Sequence, residues 1–379
     1  MVVRVQRKSG IELLRIVAML LIILNHYPWV AQREFMPSVF NSLLSNWGGV
    51  GDCLFFMISA WFLCMEQPDV KRSFRRVWLL ERELLVYSLP LLVFMALCGS
   101  RGLVVFSRSE EIKLAMKSFF PALTGLWWYP TSYMAFLLLS PWLLIGLRAV
   151  GERLHRNLVI LALVSSSIVP IVSHILRERY SFVLFIYLFI LVSYVRWYMP
   201  EKVRSRKRAV SLICIGLSVG IAIPALFAIV FAGHVQRFYY LFLNNPWLFP
   251  SLMISMGLLM IASQAEDFHS RAVNTLAQAT LAPYLLLTFP GVTMVFSAAI
   301  FGVGTKLVTG LFSLSENPFI QLGRQTFVAV VFFLCAECLD LVRIRLFSVT
   351  LNRHGNQGKW FELLWCRLTS SKVGVWLES

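Results

Sequence analysis

Long apolar runs recur along the whole chain, and they limit the folds that it can adopt. Each covers roughly 17 to 25 residues, the length that a helix needs to cross the hydrocarbon core of a bilayer. Helices are required because backbone groups in hydrocarbon must be hydrogen-bonded within the segment. We therefore predict an all-α, polytopic integral membrane protein with about ten transmembrane helices, at residues 11–27, 47–65, 79–98, 130–147, 158–174, 180–199, 210–232, 246–263, 275–300 and 325–347.

Composition supports this class of protein and excludes several others. Of the 379 residues, 58% are hydrophobic and only 14% are charged, which excludes a disordered or collagen-like chain. Seven cysteines are too few for a secreted disulfide scaffold of this length. Cys335 and Cys338 have the spacing of a metal hairpin, but no second pair or nearby His completes a site, so we predict no metal.

Membrane topology accounts for most of the formal net charge of +16. An even number of spans puts both termini on one side, and a cytoplasmic amino terminus gives 23 Lys and Arg to the inner segments and ten to the outer ones. The positive-inside rule favours that orientation, so we predict that both termini are cytoplasmic. No inner loop is long enough to form a folded basic face, and we expect no nucleic-acid partner.

The two ends of the chain leave alternatives open. Basic residues before the first apolar run also fit a signal peptide, although Glu12 and Arg15 within the run and the nine later spans disfavour it. We predict a transmembrane domain over residues 1–347 and a cytoplasmic basic tail over 348–379. Within that tail, 359–368 fits either a short amphipathic helix on the inner membrane surface or a disordered segment.

Ionisable side chains concentrate in the first span. Charged groups at membrane depth are costly, so each is a functional candidate. Arg15 and His26 are eleven positions apart, close to three helical turns, which places them on one face roughly 16 Å apart along the axis. Arg15 suits a phosphate or carboxylate, and Glu12 is placed to pair with it. The alternatives are that Glu12 merely neutralises Arg15 and that His26 is a hydrogen-bonded histidine at the outer boundary.

The next two spans add polar candidates on both sides of the membrane. A glycine-rich run at 48–51 begins the second span and permits close helix packing, and Asp52 and Ser59 follow within it. Asp52 could partner a cation, and Ser59 offers a hydroxyl inside the bilayer. At the inner start of the third span, closely spaced arginines fit either an anion site for phosphate or a topology signal alone; they are Arg72, Arg75 and Arg76.

Two further groups are candidates for supporting roles. A histidine base is usually oriented by a carboxylate, and Asp52 and Glu337 are the supporting candidates within spans. Glu337 shares a face with Asp340, and Arg343 lies one turn further, so an ion network at the helix end is the alternative. Near the outer interface lie three aromatic residues, which fit either an aromatic belt or stacking on a sugar; they are Trp127, Trp128 and Tyr129.

The order and spacing of four motifs resemble the membrane-bound acyltransferase 3 family, over about residues 10–347. The first is an acidic residue followed by Arg and His in the first span. The second is a Gly-rich approach to Phe-Phe-x-x-Ser, the third is Arg-x-x-Arg on the inner loop, and the fourth is a Trp-Tyr…Pro pattern. The matching positions are Glu12, Arg15, His26, Gly51, Phe55, Phe56, Ser59, Arg72, Arg75, Trp127, Trp128, Tyr129, Tyr133 and Pro141.

The resemblance implies a bacterial plasma-membrane enzyme of the kind that O-acylates surface polysaccharides, glycans or lipids. Acetyl-CoA or another acyl-CoA would be the donor, held from the cytoplasm by the Arg72, Arg75 and Arg76 group. His26 would take the acceptor's hydroxyl proton or accept the acyl group itself, and Ser59 would donate to the oxyanion. The acceptor would be a surface polysaccharide or lipid-linked sugar, in contact with membrane lipids.

Two departures from the family pattern and two rival functions stand beside this interpretation. Ala60 replaces the usual Gly after the second-span Ser, and Leu287 stands where many members carry a ninth-span His, whose role cannot be transferred. A secondary transporter of an anionic solute would use the same Arg and His, although no matching interrupted spans in two halves are visible. A degenerate member acting only as a scaffold is the third interpretation.

Overall fold

The computed structural model describes residues 9–26, 47–165, 182–230, 243–265, 268–292, 295, 318–350 and 356–370. Every regular element in these ranges is a helix, as predicted. In chain order the helices are α1 (Ser9–His26), α2 (Gly48–Leu63), α3 (Val70–Ser100), α4 (Arg108–Phe119), α5 (Trp128–Leu163), α6 (Phe182–Tyr198), α7 (Pro200–Val203), α8 (Arg206–Val230), α9 (Phe249–Gln264), α10 (Arg271–Leu276), α11 (Leu281–Thr288), α12 (Pro318–Thr350) and α13 (Asn356–Thr369).

Three of the described helices are long and apolar enough to cross a membrane, namely α1, α3 and α5. Helices α2, α6 and α9 are apolar but shorter, at 10 to 17 residues. These helices confirm an α-helical membrane protein. The count of about ten spans and the cytoplasmic termini stay predictions, and parts of the spans expected at 158–174 and 275–300 lie outside the described residues.

Helix α5 joins what the sequence divides into two spans. It runs for 36 residues, and a straight helix of that length would extend about 54 Å, well beyond a hydrocarbon core of about 30 Å. Gly151 breaks the direction, with φ 70° and ψ 176°. Because φ is positive there, glycine is the residue that adopts this conformation without strain. The expected boundary between the fourth and fifth spans is therefore a kink within one helix.

Helix α1 lies at the centre of the bundle and packs against α2, α9, α10, α11 and α12. Its contact with α2 is close because Gly51 has no side chain. A Cβ atom at Gly51 would lie 2.8 Å from both Ala18 O and Ile22 Cγ1. At the start of α2, a Cβ at Gly49 would lie 2.6 Å from the Asn245 nitrogen. The tight packing predicted for the glycine-rich run is thus confirmed, and it fixes α1 against α2.

An aromatic cluster joins α2, α5 and α6. Phe56 stacks on Phe185 with ring centroids 4.3 Å apart, and it meets Phe136 edge-on at 5.0 Å. Tyr129, near the start of α5, contacts Phe185 edge-on at 4.9 Å. Offset and edge-on ring pairs of this kind add to the stability gained from apolar burial. The cluster fixes the start of α5, where the candidate aromatic residues lie.

Side chains from two other helices satisfy the backbone carbonyls at the end of α2. Arg148 donates to Cys64 O at 3.2 Å and to Glu66 O at 2.7 Å. Arg196 donates to Trp61 O and lies 4.4 Å above the Trp61 ring. Such groups stabilise a helix end because its last carbonyls lack partners within the helix. Arg148 and Arg196 count among the inner cations that predict the topology, and they also cap the end of a helix.

The described fold also includes helices outside the expected spans, among them α4 and α13. The short helix α4 begins at Ser107, whose hydroxyl and backbone N–H form a capping box with Glu110. These hydrogen bonds hold the pKa of the exposed Glu110 carboxyl below its ordinary value. Helix α13 covers the tail segment 359–368, which favours the helical alternative over disorder. It packs on α3, where Trp365 meets Phe74 with ring centroids 5.5 Å apart.

Candidate active site

His26, Trp127 and Trp128 line one cavity of about 270 Å³, here called the His26 cavity. The end of α1 supplies His26, and the start of α5 supplies the tryptophans. The remaining walls come from α11 and the turn that follows it. The other lining residues are Leu126, Tyr284, Leu287, Thr288, Phe289, Pro290 and Gly291. The structure thus brings together the predicted base and two of the three predicted sugar-binding aromatics.

The imidazole of His26 is oriented by the backbone of its own helix. Its Nδ1 lies 2.8 Å from Ile22 O. A carbonyl oxygen only accepts hydrogen bonds, so Nδ1 carries the proton and donates it. In the neutral ring, Nε2 is then the nitrogen with a lone pair, which is the form that a general base or nucleophile requires. A backbone carbonyl, rather than one of the predicted carboxylates, holds Nδ1.

A line of aromatic rings connects His26 to Asp52. The His26 and Tyr284 rings meet edge-on at 6.2 Å, and Tyr284 meets Tyr129 at 6.3 Å. Tyr129 lies within electrostatic range of Asp52, which is 7% exposed. Neither Asp52 nor Tyr129 lines the His26 cavity, whereas the two tryptophans before Tyr129 do.

Trp127 brings an unsatisfied hydrogen-bond donor to the His26 cavity. Its side chain is 1% exposed, and its ring packs 5.9 Å from that of Phe289. The Nε1–H group is buried and has no hydrogen-bond partner among the described residues. Leaving such a donor unpaired costs free energy. An oxygen atom of a bound molecule would remove that cost.

A second polar group surrounds Arg15, nearer the start of α1. Arg15 forms an ion pair with Glu12 at 2.7 Å, as predicted from their spacing. Ser59 and Tyr133 interact, and Tyr133 lies within electrostatic range of both Arg15 and Arg76. Ser59 therefore belongs with Arg15 rather than with the residues that line the His26 cavity.

The predicted anion site lies at the start of α3, at the opposite end of the bundle from the His26 cavity. Glu66 accepts from Arg76 at 2.8 Å and from Arg72 at 3.4 Å, and Asp69 caps the helix at the Arg72 nitrogen. Arg75 is exposed and makes no ion pair with a described residue. We call these five residues the arginine cluster. Two of its three cations are already neutralised, and Arg75 remains available to an anion.

The last candidate carboxylate, Glu337, lies on α12 beside a network of charged residues, apart from the groups above. Asp340 accepts from Tyr87 and, at 2.5 Å, from Arg343 Nε, and Arg343 also reaches Glu83 at 2.9 Å. This is the ion network weighed as the alternative. Glu337 is 0% exposed, and its carboxylate oxygens lack hydrogen-bond partners among the described residues.

Sequence inspection missed several residues of these groups. Tyr284 lies about one helical turn before Leu287, and nothing in the sequence alone marks a tyrosine there as part of the site. Glu66 was overlooked because it lies in the connection before α3. Its position six residues before Arg72 and ten before Arg76 was the available signal.

Within the described residues, no group of three or more His, Cys, Asp or Glu side chains could hold a metal ion. The candidate site thus comprises a histidine, an aromatic wall and a buried hydrogen-bond donor at the His26 cavity, together with the separate arginine cluster. This set is suited to proton transfer in the cavity and to anion binding at the arginine cluster.

Comparison with known proteins assigns the family. A family model described as an acyltransferase domain matches residues 8–336, which span α1 to most of α12. Comparisons with curated proteins and with solved structures gave no match. The matched range contains both the His26 cavity and the arginine cluster. The chain is therefore a membrane acyltransferase that belongs to the acyltransferase 3 family.

Proposed function

We propose that this protein moves an acetyl or other acyl group from cytoplasmic acyl-CoA to a hydroxyl of a surface polysaccharide or lipid-linked sugar, in a bacterial plasma membrane. The observation that carries the proposal is the position of His26. It lines a cavity with two tryptophans, and Ile22 O fixes the tautomer that leaves Nε2 as the base.

In this mechanism, His26 Nε2 takes the proton of the acceptor hydroxyl while that oxygen attacks the thioester carbon. The carbon–sulfur bond then breaks, and the imidazolium returns the proton to the leaving thiolate. The products are an O-acyl sugar and CoA, and no proton is gained or lost. Nε2 serves equally as a nucleophile that forms an acyl-imidazole first.

Trp127 and Trp128 supply the remaining functions of the cavity. The unpaired Nε1–H of Trp127 is a suitable donor to the oxyanion that forms at the thioester carbonyl. Ser59, the earlier candidate for this role, does not line the cavity and interacts with Tyr133 near Arg15. The ring faces of the tryptophans suit the apolar face of a sugar, which favours a glycan acceptor.

The arginine cluster is the proposed site for the CoA phosphates. Arg75 offers a guanidinium without an ion pair among the described residues, and phosphate is a strong partner for such a group. Arg15 lies between the cluster and the cavity, because Tyr133 is within electrostatic range of both Arg15 and Arg76. The pantetheine arm would pass this region to bring the thioester to His26.

The test measures transfer of label from radiolabelled acetyl-CoA into surface glycan by membranes that carry wild-type protein, His26→Ala or His269→Ala at equal expression. His269 is exposed and serves as the matched control. We expect transfer by the wild type and by His269→Ala, and none by His26→Ala. Label that stays on the wild-type protein when no acceptor is supplied would indicate the acyl-imidazole route.

Two outcomes would contradict the proposal. Full activity of His26→Ala would remove His26 from the mechanism. If the wild type transfers no label from acetyl-CoA or from longer acyl-CoA donors, yet its membranes take up an anionic solute, the secondary transporter becomes the better interpretation.

A further inference from the structure

A second cavity, of about 320 Å³, lies between α6, α7, α8 and α9. None of its lining residues belongs to the His26 cavity or to the arginine cluster. Its volume is at the lower end of the range for sites that bind small molecules, roughly 300 to 1,000 Å³. The proposed acyl transfer gives it no function.

The walls of this cavity are apolar and adaptable. Met199, which precedes α7, and Met256 and Met260 of α9 contribute flexible thioether side chains. Ser211 donates its hydroxyl to Lys207 O at 2.9 Å, so it offers no donor to a ligand. Ile215 lines the cavity and is 49% exposed, which opens the cavity to the surface of α8. Such walls suit a hydrocarbon chain.

Two cations complete the cavity. Lys202 of α7 and Arg208 of α8 line it, and both are exposed. Neither forms an ion pair with a described residue. The segment from 196 to 208 holds six basic residues and a single acidic one, Glu201, which also makes no ion pair with a described residue. An apolar cavity bordered by unpaired cations is complementary to a molecule with a hydrocarbon chain and an anionic head.

We propose that this cavity binds an anionic phospholipid, with an acyl chain against the methionine wall and the phosphate between Lys202 and Arg208. Basic sites between helices on the cytoplasmic side of a membrane are suited to such headgroups. In the topology predicted from the sequence, the basic segment lies on that side. The lipid would occupy the junction of α6, α8 and α9, and this inference is independent of acyl transfer.

The test titrates dioleoylphosphatidylglycerol or dioleoylphosphatidylcholine onto the purified full-length protein in detergent and counts bound lipids by native mass spectrometry. We expect tighter binding of phosphatidylglycerol by the wild type. Lys202→Gln/Arg208→Gln should weaken that binding at least about tenfold, since each cation contributes on the order of 1 kcal/mol. The matched control Arg204→Gln/Lys207→Gln removes two charges of the same segment outside the cavity and should change binding less than about twofold.

A second variant tests the apolar wall without changing charge. Met260→Trp fills the cavity, and we expect it to weaken binding of both lipids in a protein that still elutes as the wild type does on gel filtration. Equal losses in the two charge variants would show attraction to the segment as a whole and overturn the proposal. So would equal binding of the two lipids by the wild type. Displacement of phosphatidylglycerol by palmitoyl-CoA, but not by acetyl-CoA, would reassign the cavity to a donor's acyl chain.

Discussion

The His26 cavity and the arginine cluster contrast in how each is built. Aromatic and aliphatic side chains enclose the cavity, and its polar chemistry rests on one imidazole and one indole N–H. The cluster is exposed and crowded with charge, yet Glu66 and Asp69 already engage two of its three arginines. The first region is largely apolar and holds one buried donor, the Trp127 Nε1–H, without a partner among the described residues, whereas the second is polar and its charges are largely paired.

This difference predicts which kinetic quantity each region controls. In a dry cavity, a single hydrogen bond to a developing charge is strong, so few residues suffice for chemistry. At an exposed surface each ion pair contributes little, so binding requires several cations. Substitutions in the cavity should therefore change the rate of transfer, and substitutions in the cluster should change the affinity for the donor.

The largest effect is expected for His26→Ala. Removal of a general base typically costs about 10²- to 10⁴-fold in rate, so kcat should fall by that factor. Binding of acyl-CoA, measured by equilibrium dialysis with a non-hydrolysable thioether analogue, should stay within about twofold of the wild type. A parallel loss of analogue binding would show that the two regions are not separate.

Trp127→Phe tests the buried indole N–H. The substitution keeps an aromatic ring but removes the donor, and loss of one oxyanion donor costs about 10²- to 10³-fold in kcat. Transfer kinetics with saturating donor and acceptor measure it. Trp142→Phe is the control, because Trp142 is 44% exposed on α5. Unchanged kcat in Trp127→Phe would assign Trp127 to packing alone.

The arginine cluster gives two predictions of opposite sign. Arg75→Ala should raise the KM for acyl-CoA about two- to fivefold with kcat unchanged, because an ion pair at an exposed surface contributes at most about 1 kcal/mol. Glu66→Gln should lower that KM severalfold, since it releases Arg72 and Arg76 from their ion pairs. Steady-state kinetics at low ionic strength check both. A higher KM in Glu66→Gln would mean that Glu66 organises the cluster for the donor.

The smallest effect is expected for Gly51→Ala, at the close contact between α1 and α2. A Cβ at Gly51 would press on Ala18 O and on Ile22, whose carbonyl orients His26. Gly51→Ala should lower stability by about 1 to 3 kcal/mol through overpacking and reduce kcat and donor affinity together. Gly146→Ala is the matched control, because its Cβ would meet nothing within 4 Å. Thermal unfolding in detergent compares the two, and equal midpoints would contradict the close packing.

The sequence predicted what depends on spacing along one helix. The Glu12–Arg15 pair follows from helical periodicity, and the apolar helices follow from hydropathy. The helices outside the predicted spans show the limit of hydropathy as a guide to structure. The Ser107 and Glu110 capping box was a readable sign of α4, but a search for apolar runs passes over it.

The sequence could not predict groupings that depend on which helices are neighbours. Ser59 and His26 lie in separate groups because α2 presents Ser59 to Tyr133. The sequence predicted a carboxylate as the partner of His26 Nδ1. The partner is instead the backbone carbonyl of Ile22 in the same helix, which carries no charge. Leu287 was recognised as a departure in a family motif, and only the fold shows that it lines the same cavity as His26.

The arginines that cap α2 affect membrane insertion as well as the stability of the folded protein. During insertion into a membrane, the orientation of a helix depends on positive charge, which lysine supplies as well as arginine. The folded protein instead uses the shape of the Arg148 guanidinium, whose Nη2 donates to two carbonyls while Nη1 lies 3.5 Å from Gln67 Oε1. We therefore expect the Arg148→Lys variant to insert into the membrane in the correct orientation but to fold with a less stable end of α2. Membrane insertion and folding thus become separable steps at this one position.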